Sequence, residues 1–478
     1  MAETIIRYRM VSADDRIGVA VSGGADSVVL LHLLKGLSVT LQIELLVLHV
    51  NHGLRGAESD ADELFVRQMA DRLDLQCRVS RCPVANNEGN LEQAARDGRR
   101  RFFQQHIESG LVGRVATGHT LSDQAETVLY RLFRGAGLAG LSGMRFVTPD
   151  NLIRPLLGLT RGEVRDWATI EGLVWREDTS NLEARFRRNR IRHELLPLAS
   201  EVFHPRVEHV IAGTAMLAQS EEDYWHALVA ELFPKFAEIS HFGLLGDVPF
   251  LQRQHPSVQR RLIRKTLCEI KGDLRSLDST HVEAVLRICT SLEGHDRVMI
   301  PGVDVLRSFH RVRFAKPALG TAQPRHYRVS PNLGACVELP FGAGAVRLDL
   351  VEGCRERDIC ANFNGERGFA ESAKLAWGAL GGPAQLTSLA IRNWEPGDAY
   401  RRLGHRSTEK LKTLFQEHKV PLWERRHWPV LELNDEIVWT RQFGASADFG
   451  AADCSFPALL LRYRTAHESN VTFSTSTS

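Results

Sequence analysis

No Gly-Lys dipeptide occurs anywhere in the 478-residue sequence, which excludes a Walker-type phosphate loop. No C-x-x-C occurs either: the eight cysteines, Cys77, Cys82, Cys268, Cys289, Cys336, Cys354, Cys360 and Cys454, are scattered. Their spacing argues against a zinc ribbon, an iron-sulfur site of the usual kind or a disulfide framework, and it fits a reducing cytoplasm. No apolar run approaches the length of a membrane span, and the first residues lack the apolar core of a secretion signal. A soluble cytoplasmic protein with no membrane partner is therefore expected. A large excess of one charge is missing too. Sixty Lys and Arg against 58 Asp and Glu leave a net charge of +2, so any nucleic-acid surface has to come from local clustering of arginines.

What the sequence does have, close to its start, is Ser22-Gly23-Gly24-Ala25-Asp26-Ser27 between two apolar runs, Ile17 to Val21 and Val28 to Leu34. A buried strand that delivers two glycines to the start of a helix makes an anion cradle. Backbone amides point at negative charge there, and the glycines permit close approach. Ser22 and Ser27 add hydroxyl donors, and Asp26 is suited to a divalent cation bridging phosphate oxygens.

From residue 15 to about 150, short apolar runs alternate with amphipathic ones. Strands are predicted at Ile17 to Val21, Ile43 to Val50, Gln76 to Cys82 and Arg114 to Gly118, with helices between them. This pattern implies an α/β fold, a doubly wound parallel sheet, whose ligands sit beyond the carboxyl ends of the strands. That rule selects the SGGADS loop, the segment His49-Val50-Asn51-His52-Gly53-Leu54-Arg55, and Gly118-His119-Thr120 as walls of one crevice. The helix that follows carries Asp123 and Glu126 on one face of its first turn, where carboxylates also complement the helix dipole.

Gly135 to Gly140 matches G-x-G-x-x-G, but it follows a helix where a dinucleotide fingerprint needs a strand, so it is read as a helix end and a close-packed loop. Arg96, Arg99, Arg100 and Arg101 form one basic cluster. A denser one, Asn181 to Glu194, holds Arg185, Arg187, Arg188, Arg190 and Arg192 around Phe186 and Ile191, a composition suited to phosphate-backbone contact. Beyond residue 205 the period becomes helical. One or two helices from Val207 to Leu232 should stop before Pro234, another should span Pro256 to Ile270, and Thr280-x-x-Glu283 reads as a capping box. Strand-like alternation resumes at Val298, and Lys316 to Gly320 reads as a linker into a mixed domain. In that domain Leu411, Leu414 and Phe415 stripe a short helix beside Lys410 and Lys412. The expected division is 1–205 catalytic, 206–315 helical, 320–465 mixed α+β, and a disordered tail over 466–478.

Taken together, SGGADS, HVNHGLR, ATGH with DQAET, RGAGLAGLSGM, REDTSN, RNRIRHELLP and KLKTLFQEHKVP resemble the bacterial tRNA(Ile)-lysidine synthetase family. The sequence departs from that pattern at Thr120 and Ser122, where the family often shows a histidine and an aspartate. The resemblance implies a PP-loop ATP pyrophosphatase fold. It also implies an enzyme that uses ATP and Mg2+ to adenylate the wobble cytidine of an isoleucine tRNA with a CAU anticodon, after which free L-lysine displaces AMP. On that reading Ser22, Gly23, Gly24, Ala25, Asp26 and Ser27 grip ATP, with Asp26 on the metal. Asp123 and Glu126 hold and deprotonate lysine, the choice of base staying open, and His119 orients the base or moves a proton. Arg185, Arg188, Arg190, Arg192, Lys410 and Lys412 would contact tRNA, and a homodimer is expected from the family's habit. Two alternatives share these residues: a tRNA thiolase of the same fold, which would need a sulfur-carrying cysteine near the crevice, and a non-catalytic RNA-binding protein.

Overall fold

The computed structural model describes residues 1–53, 56–81, 91–177, 187–291, 294–317, 326–351, 371–451 and 457–465. Arg185, residues 178–181 of the REDTSN segment and the 466–478 tail lie outside the described residues. The chain divides into two compact units, Met1–His226 and Ala227–Thr475, and the division falls inside one helix.

The first unit is built on five strands, β1 (Arg16–Ala20), β2 (Glu44–Asn51), β3 (Gln76–Arg81), β4 (Arg114–Ala116) and β5 (Leu152–Ile153), ordered β3-β2-β1-β4-β5. All neighbours run parallel. Helices α1 (Ala2–Arg7), α2 (Ala25–Leu41), α3 (Ala57–Arg72), α4 (Leu91–Glu108), α5 (Leu121–Phe133), α6 (Leu138–Leu141) and α7 (Arg161–Ile170) alternate with them. Alternate residues of β2 explain the double winding, because successive side chains on a strand face opposite ways. Leu45 and Val47 enter a core with Val28, Val29, Leu31 and Leu34 of α2, whereas Leu46 and Leu48 pack with Phe102 and Phe103 of α4. Both central strands are buried along their length, and the half-exposed β3 lies at the sheet edge, as expected of an all-parallel sheet. The four predicted strands fall within two residues of their observed places. The two-residue β5 was too short for any periodicity to reveal.

After α7 come α8 (Arg187–Arg190), a π-helical turn at Ile191–Leu195, α9 (Leu196–Val202) and α10 (Val207–Phe236). The expected stop before Pro234 is corrected: α10 continues to Phe236 with the proline in its last turn. A proline that near the end interrupts little of the hydrogen-bond ladder.

In the second unit the expected helices are present at Pro256–Lys271 and Ser279–Thr290, with a short one at Val248–Gln252. The capping box moves, however. Asp278 caps the second of these helices, accepting from the N–H groups of Thr280 and His281 at 2.9 and 3.2 Å. These helices accompany a five-stranded antiparallel sheet whose members run Ala237–Ser240, Gly243–Asp247, Arg311–Ala315, Val303–Ser308 and His295–Ile300 across it. The C-terminal part holds a five-stranded and a four-stranded antiparallel sheet around Leu431, Trp439, Leu459 and Tyr463. The stripe Leu411, Leu414 and Phe415 is fully buried on the helix Leu411–Glu417, and Lys410 and Lys412 are exposed. Among the described residues no helix is long and apolar enough to cross a membrane.

Candidate active site

In the first unit's sheet, connections leave β1 toward β2 and β3 on one side and toward β4 and β5 on the other. The gap beyond the carboxyl ends of β1 and β4 is thus the topological switch point, where open α/β sheets bind ligands. The SGGADS loop leaves β1, and Gly118-His119-Thr120 leaves β4. The two are pressed together: a Cβ on Gly118 would stand 3.1 Å from the carbonyl carbon and oxygen of Asp26 and 3.2 Å from the nitrogen of Ser27. Any larger residue would push the backbone at Asp26 and Ser27 back by a few tenths of an ångström.

Gly24 caps α2, so the following amides open toward the crevice at a helix N-terminus. Ser27 ties the loop shut. Its hydroxyl donates to the Gly24 carbonyl at 2.8 Å, accepts from the Ser22 N–H at 3.1 Å and lies 3.2 Å from the Ser22 hydroxyl. Gly23 adopts φ +98°, a left-handed conformation that favours glycine. Its carbonyl accepts from the Arg176 N–H at 3.0 Å, and the Arg176 side chain is bonded to Asp62 of α3.

Helix α5 begins with a capping box. The Asp123 Oδ2 accepts from the Thr120 N–H and hydroxyl, both at 2.9 Å, and the Thr120 hydroxyl receives the Asp123 N–H at 3.3 Å. This exchange fixes Asp123 and leaves its Oδ1 to face Arg161 Nη2 at 2.7 Å and Arg192 Nη2 at 3.4 Å. Glu126, one turn on, is fully buried. Its Oε1 accepts from Arg161 at 3.0 Å and Arg192 Nε at 2.7 Å, and its Oε2 from Arg188 at 3.1 Å and Arg192 Nη2 at 3.0 Å. Arg188 and Arg192 stand four residues apart, and the π turn carries the second of them to the same carboxylate. Winding of this kind concentrates at functional sites.

Arg161 was not foreseen from the sequence, yet it joins the two halves of the crevice, since its Nε also lies 3.8 Å from Asp26 Oδ2. One signal could have found it. A Thr160-x-x-Glu163 capping box marks the start of α7, and a cation in a first turn opposes the helix dipole. Such an arginine must be held by nearby anions.

The electrostatics follow from burial. Desolvation pushes the Asp26 carboxyl up to about 6, against the pull of Arg161. Burial also raises Asp123, but Arg161, the Thr120 N–H and Arg188 outweigh it and keep that carboxyl below the usual aspartate value. Burial, then the charge of Arg154, drives the His119 imidazole far below the usual histidine value, so it is neutral at pH 7. Its Nδ1 lies 3.0 Å from the Thr117 hydroxyl. Asp26 Oδ1 is buried and has no hydrogen-bond partner among the described residues. No group of three metal-ligating side chains occurs among the described residues. One orphaned carboxylate oxygen beside a phosphate cradle fits Mg2+, which takes one or two carboxylates and completes its shell with phosphate and water.

Ser122 and Thr120, the two departures from the expected pattern, both have structural partners: Thr120 in the cap, and Ser122 donating to Glu208 at 2.6 Å while accepting from the Arg161 N–H at 3.1 Å. Arg188 and Arg192, expected on RNA, turn inward to the carboxylates, whereas Arg190 is exposed and pairs with Glu194 at 2.9 Å. Gly135 to Gly140 follows α5, and that loop closes through Arg131 donating to the carbonyls of Gly140 and Gly143, both at 3.1 Å.

The sequence of the first unit matches the PP-loop domain over residues 2–199, and residues 389–457 match the TilS substrate C-terminal domain. A tRNA(Ile)-lysidine synthase of Solibacter usitatus is 41% identical over 443 residues, covering 92% of this chain and 96% of that protein. The chain belongs to the tRNA(Ile)-lysidine synthase family. Proteins of the same name from Geobacter sulfurreducens and Caldanaerobacter subterraneus are 34% and 28% identical, covering 90% and 96% of this chain and 89% and 96% of their own lengths. Lysidine synthases are PP-loop ligases that consume ATP, and the crevice described above lies wholly within the region that matches the PP-loop domain.

Proposed function

We propose that this chain joins free L-lysine to C2 of the wobble cytidine in an isoleucine tRNA with a CAU anticodon, through an adenylated cytidine. The cytidine O2 attacks the α-phosphate of ATP and pyrophosphate leaves. The lysine ε-amine then attacks C2, AMP departs with the O2 atom, and the amine gives up a proton.

The observation that carries this reading is that one guanidinium, Arg161, touches Asp123 and Glu126 and stands beside Asp26, so phosphate cradle and carboxylates serve one crevice. The amides of Gly23, Gly24 and Ala25 and the Ser22 hydroxyl face the β- and γ-phosphates, Ser27 keeps the loop closed around them, and Asp26 would hold Mg2+, which would supply charge neutralisation for the leaving pyrophosphate. Asp123 and Glu126 receive the lysine ammonium and one of them takes its proton. Because Arg188 and Arg192 already sit on these carboxylates, the ammonium reaches them only by replacing a guanidinium. A neutral His119 accepts a proton from, or donates one to, the cytosine ring. Arg190, Lys410 and Lys412 contact tRNA phosphates, joined by whichever of Arg188 and Arg192 the lysine displaces.

The same reading includes three functional parts, 1–205, 206–315 and 320–465, a homodimer, and work in the cytoplasm. The deciding experiment supplies labelled lysine, Mg-ATP and tRNA bearing CAU and measures label in the tRNA. ATP-dependent incorporation is expected. Incorporation without ATP, or none from folded protein, would overturn the reading.

A further inference from the structure

Beyond the carboxylates, the second half of α5 and the run from Arg190 to Leu198 leave an open groove of about 400 Å³ between them. That volume lies in the range of small-ligand sites. It is lined by the apolar Leu195 and Leu198, the aromatic Tyr130 and Phe133, and the cationic Arg134 and Arg190. Phe133 is 65% exposed. The Arg134 guanidinium lies 5.5 Å from the centre of the Tyr130 ring and donates to its hydroxyl at 3.3 Å.

Two features decide what covers this groove. The first is charge. Arg131, next to Tyr130 on α5, loses basicity first to burial and then to the charges of Arg96 and Arg188, so further cations act at this end of the helix. Of the groove's own lining only Glu194 is anionic, and it is taken up by Arg190. Aromatic faces flanked by guanidinium groups suit an unpaired nucleobase with its phosphates, and they would oppose another cationic surface. The second feature is position. Tyr130 follows Glu126 by four residues on the same face, about 6 Å along the helix axis at 1.5 Å per residue.

We infer that the groove holds the nucleobase next to the wobble cytidine, stacked on Phe133 and Tyr130, with its phosphates at Arg134 and Arg190. The inference rests on the proposal that the cytidine reacts at Asp123 and Glu126. It adds a stacking site for the anticodon loop that is separate from the reacting groups.

The test compares wild type, Phe133→Ala, Phe133→Tyr and Arg134→Gln in the full chain. Each is titrated at several salt concentrations with tRNA bearing CAU and with the same tRNA made abasic at the adenosine that follows the wobble cytidine. Phe133→Ala should weaken the intact tRNA roughly 5- to 100-fold, the range for loss of one stacked base. It should leave the salt slope unchanged, and Phe133→Tyr should restore affinity. The abasic tRNA should bind wild type and Phe133→Ala alike. Arg134→Gln should flatten the salt slope. Equal losses on intact and abasic tRNA, or no loss at all, would overturn the stacking site. So would unaltered RNA affinity with a dimer converted to monomer in sedimentation, which would assign the groove to a second copy. Lysine incorporation by wild type is measured alongside. If wild type incorporates lysine and Phe133→Ala binds tRNA normally, the groove proposal alone fails; if wild type incorporates none, the functional reading fails and the groove assignment with it.

Discussion

At the scale of single residues, the crevice is governed by how much charge it can keep buried. Asp26 is the group most exposed to pH. Its pKa in the folded chain is raised from the ordinary 3.8 to about 6, so burial disfavours its ionised form. The stability contributed by the protonated carboxyl is complete below the ordinary value and is lost as pH rises through about 6. Metal binding has the opposite sign, because Mg2+ needs the carboxylate. Affinity for Mg-ATP should climb up to about tenfold per pH unit below the raised value and level off above it. Calorimetric titration between pH 5 and 8 would read this, and a profile unchanged by Asp26→Asn would refute it. Arg188 gives a second residue-scale expectation. It bonds Glu126 at 3.1 Å, so if lysine must displace a guanidinium, Arg188→Gln should lower the KM for lysine on the order of fivefold, as expected for removing a competitor worth about 1 kcal/mol. A raised or unchanged lysine KM in steady-state kinetics would show that the ammonium binds elsewhere.

At the scale of elements, the capping box of α5 shows how a local rule becomes a functional position. Thr120 satisfies the Asp123 N–H, and in return Asp123 is held with one oxygen toward Arg161. Thr120→Ala should cost about 1 kcal/mol of stability, the usual loss for a cap. Because it also frees the carboxylate, it should reduce turnover more than that loss of folded protein explains. Chemical denaturation together with kcat on fully folded enzyme separates the two, and a kcat equal to wild type would reduce Thr120 to a cap alone. Elements like this one were legible in the sequence because their signals are local. SGGADS, the four longer strands and the stripe on Leu411, Leu414 and Phe415 are patterns completed within a few residues. Arg161 was legible only in part: its capping box calls for anions beside it, but the partners, Asp26, Asp123 and Glu126, lie more than thirty residues away and nothing in its own segment names them. The inward turn of Arg188 and Arg192 was hidden for a related reason. An arginine-rich run reads as solvated or RNA-facing unless the buried carboxylates opposite are known, and the π turn that aims Arg192 has no sequence signature. In the sheet beside the helices of residues 237–315, the alternation from Val298 onward marked the strands Val303–Ser308 and Arg311–Ala315, whereas Ala237–Ser240 and Gly243–Asp247, of only four and five residues, gave too short a pattern to read.

At the scale of the whole molecule, a net charge of +2 spread over 478 residues gives little long-range attraction for a polyanion. Affinity for tRNA must then come from particular cations, each releasing a counterion as it meets a phosphate. Those cations are not the ones a charge count would choose. Five arginines crowd residues 185–192, yet Arg188 and Arg192 are engaged with Asp123 and Glu126 in the tRNA-free chain, which leaves Arg190 as the exposed described member. In the second unit Lys410 and Lys412 are exposed beside the short helix that their neighbours Leu411, Leu414 and Phe415 anchor. Substituting Arg190, Lys410 or Lys412 by glutamine should each lower the slope of log K against log salt by about 0.7–0.9, the yield of one phosphate contact. Arg188→Gln should change the slope by less, because its partner Glu126 is fully buried and holds it, whereas the Arg190–Glu194 pair is exposed on both sides and screened by solvent. Filter binding from 50 to 300 mM salt measures all four. Slopes that move equally for Arg188 and Arg190 would show that tRNA draws the inner arginine fully off its carboxylate, and would make release of that pair a step of RNA binding itself.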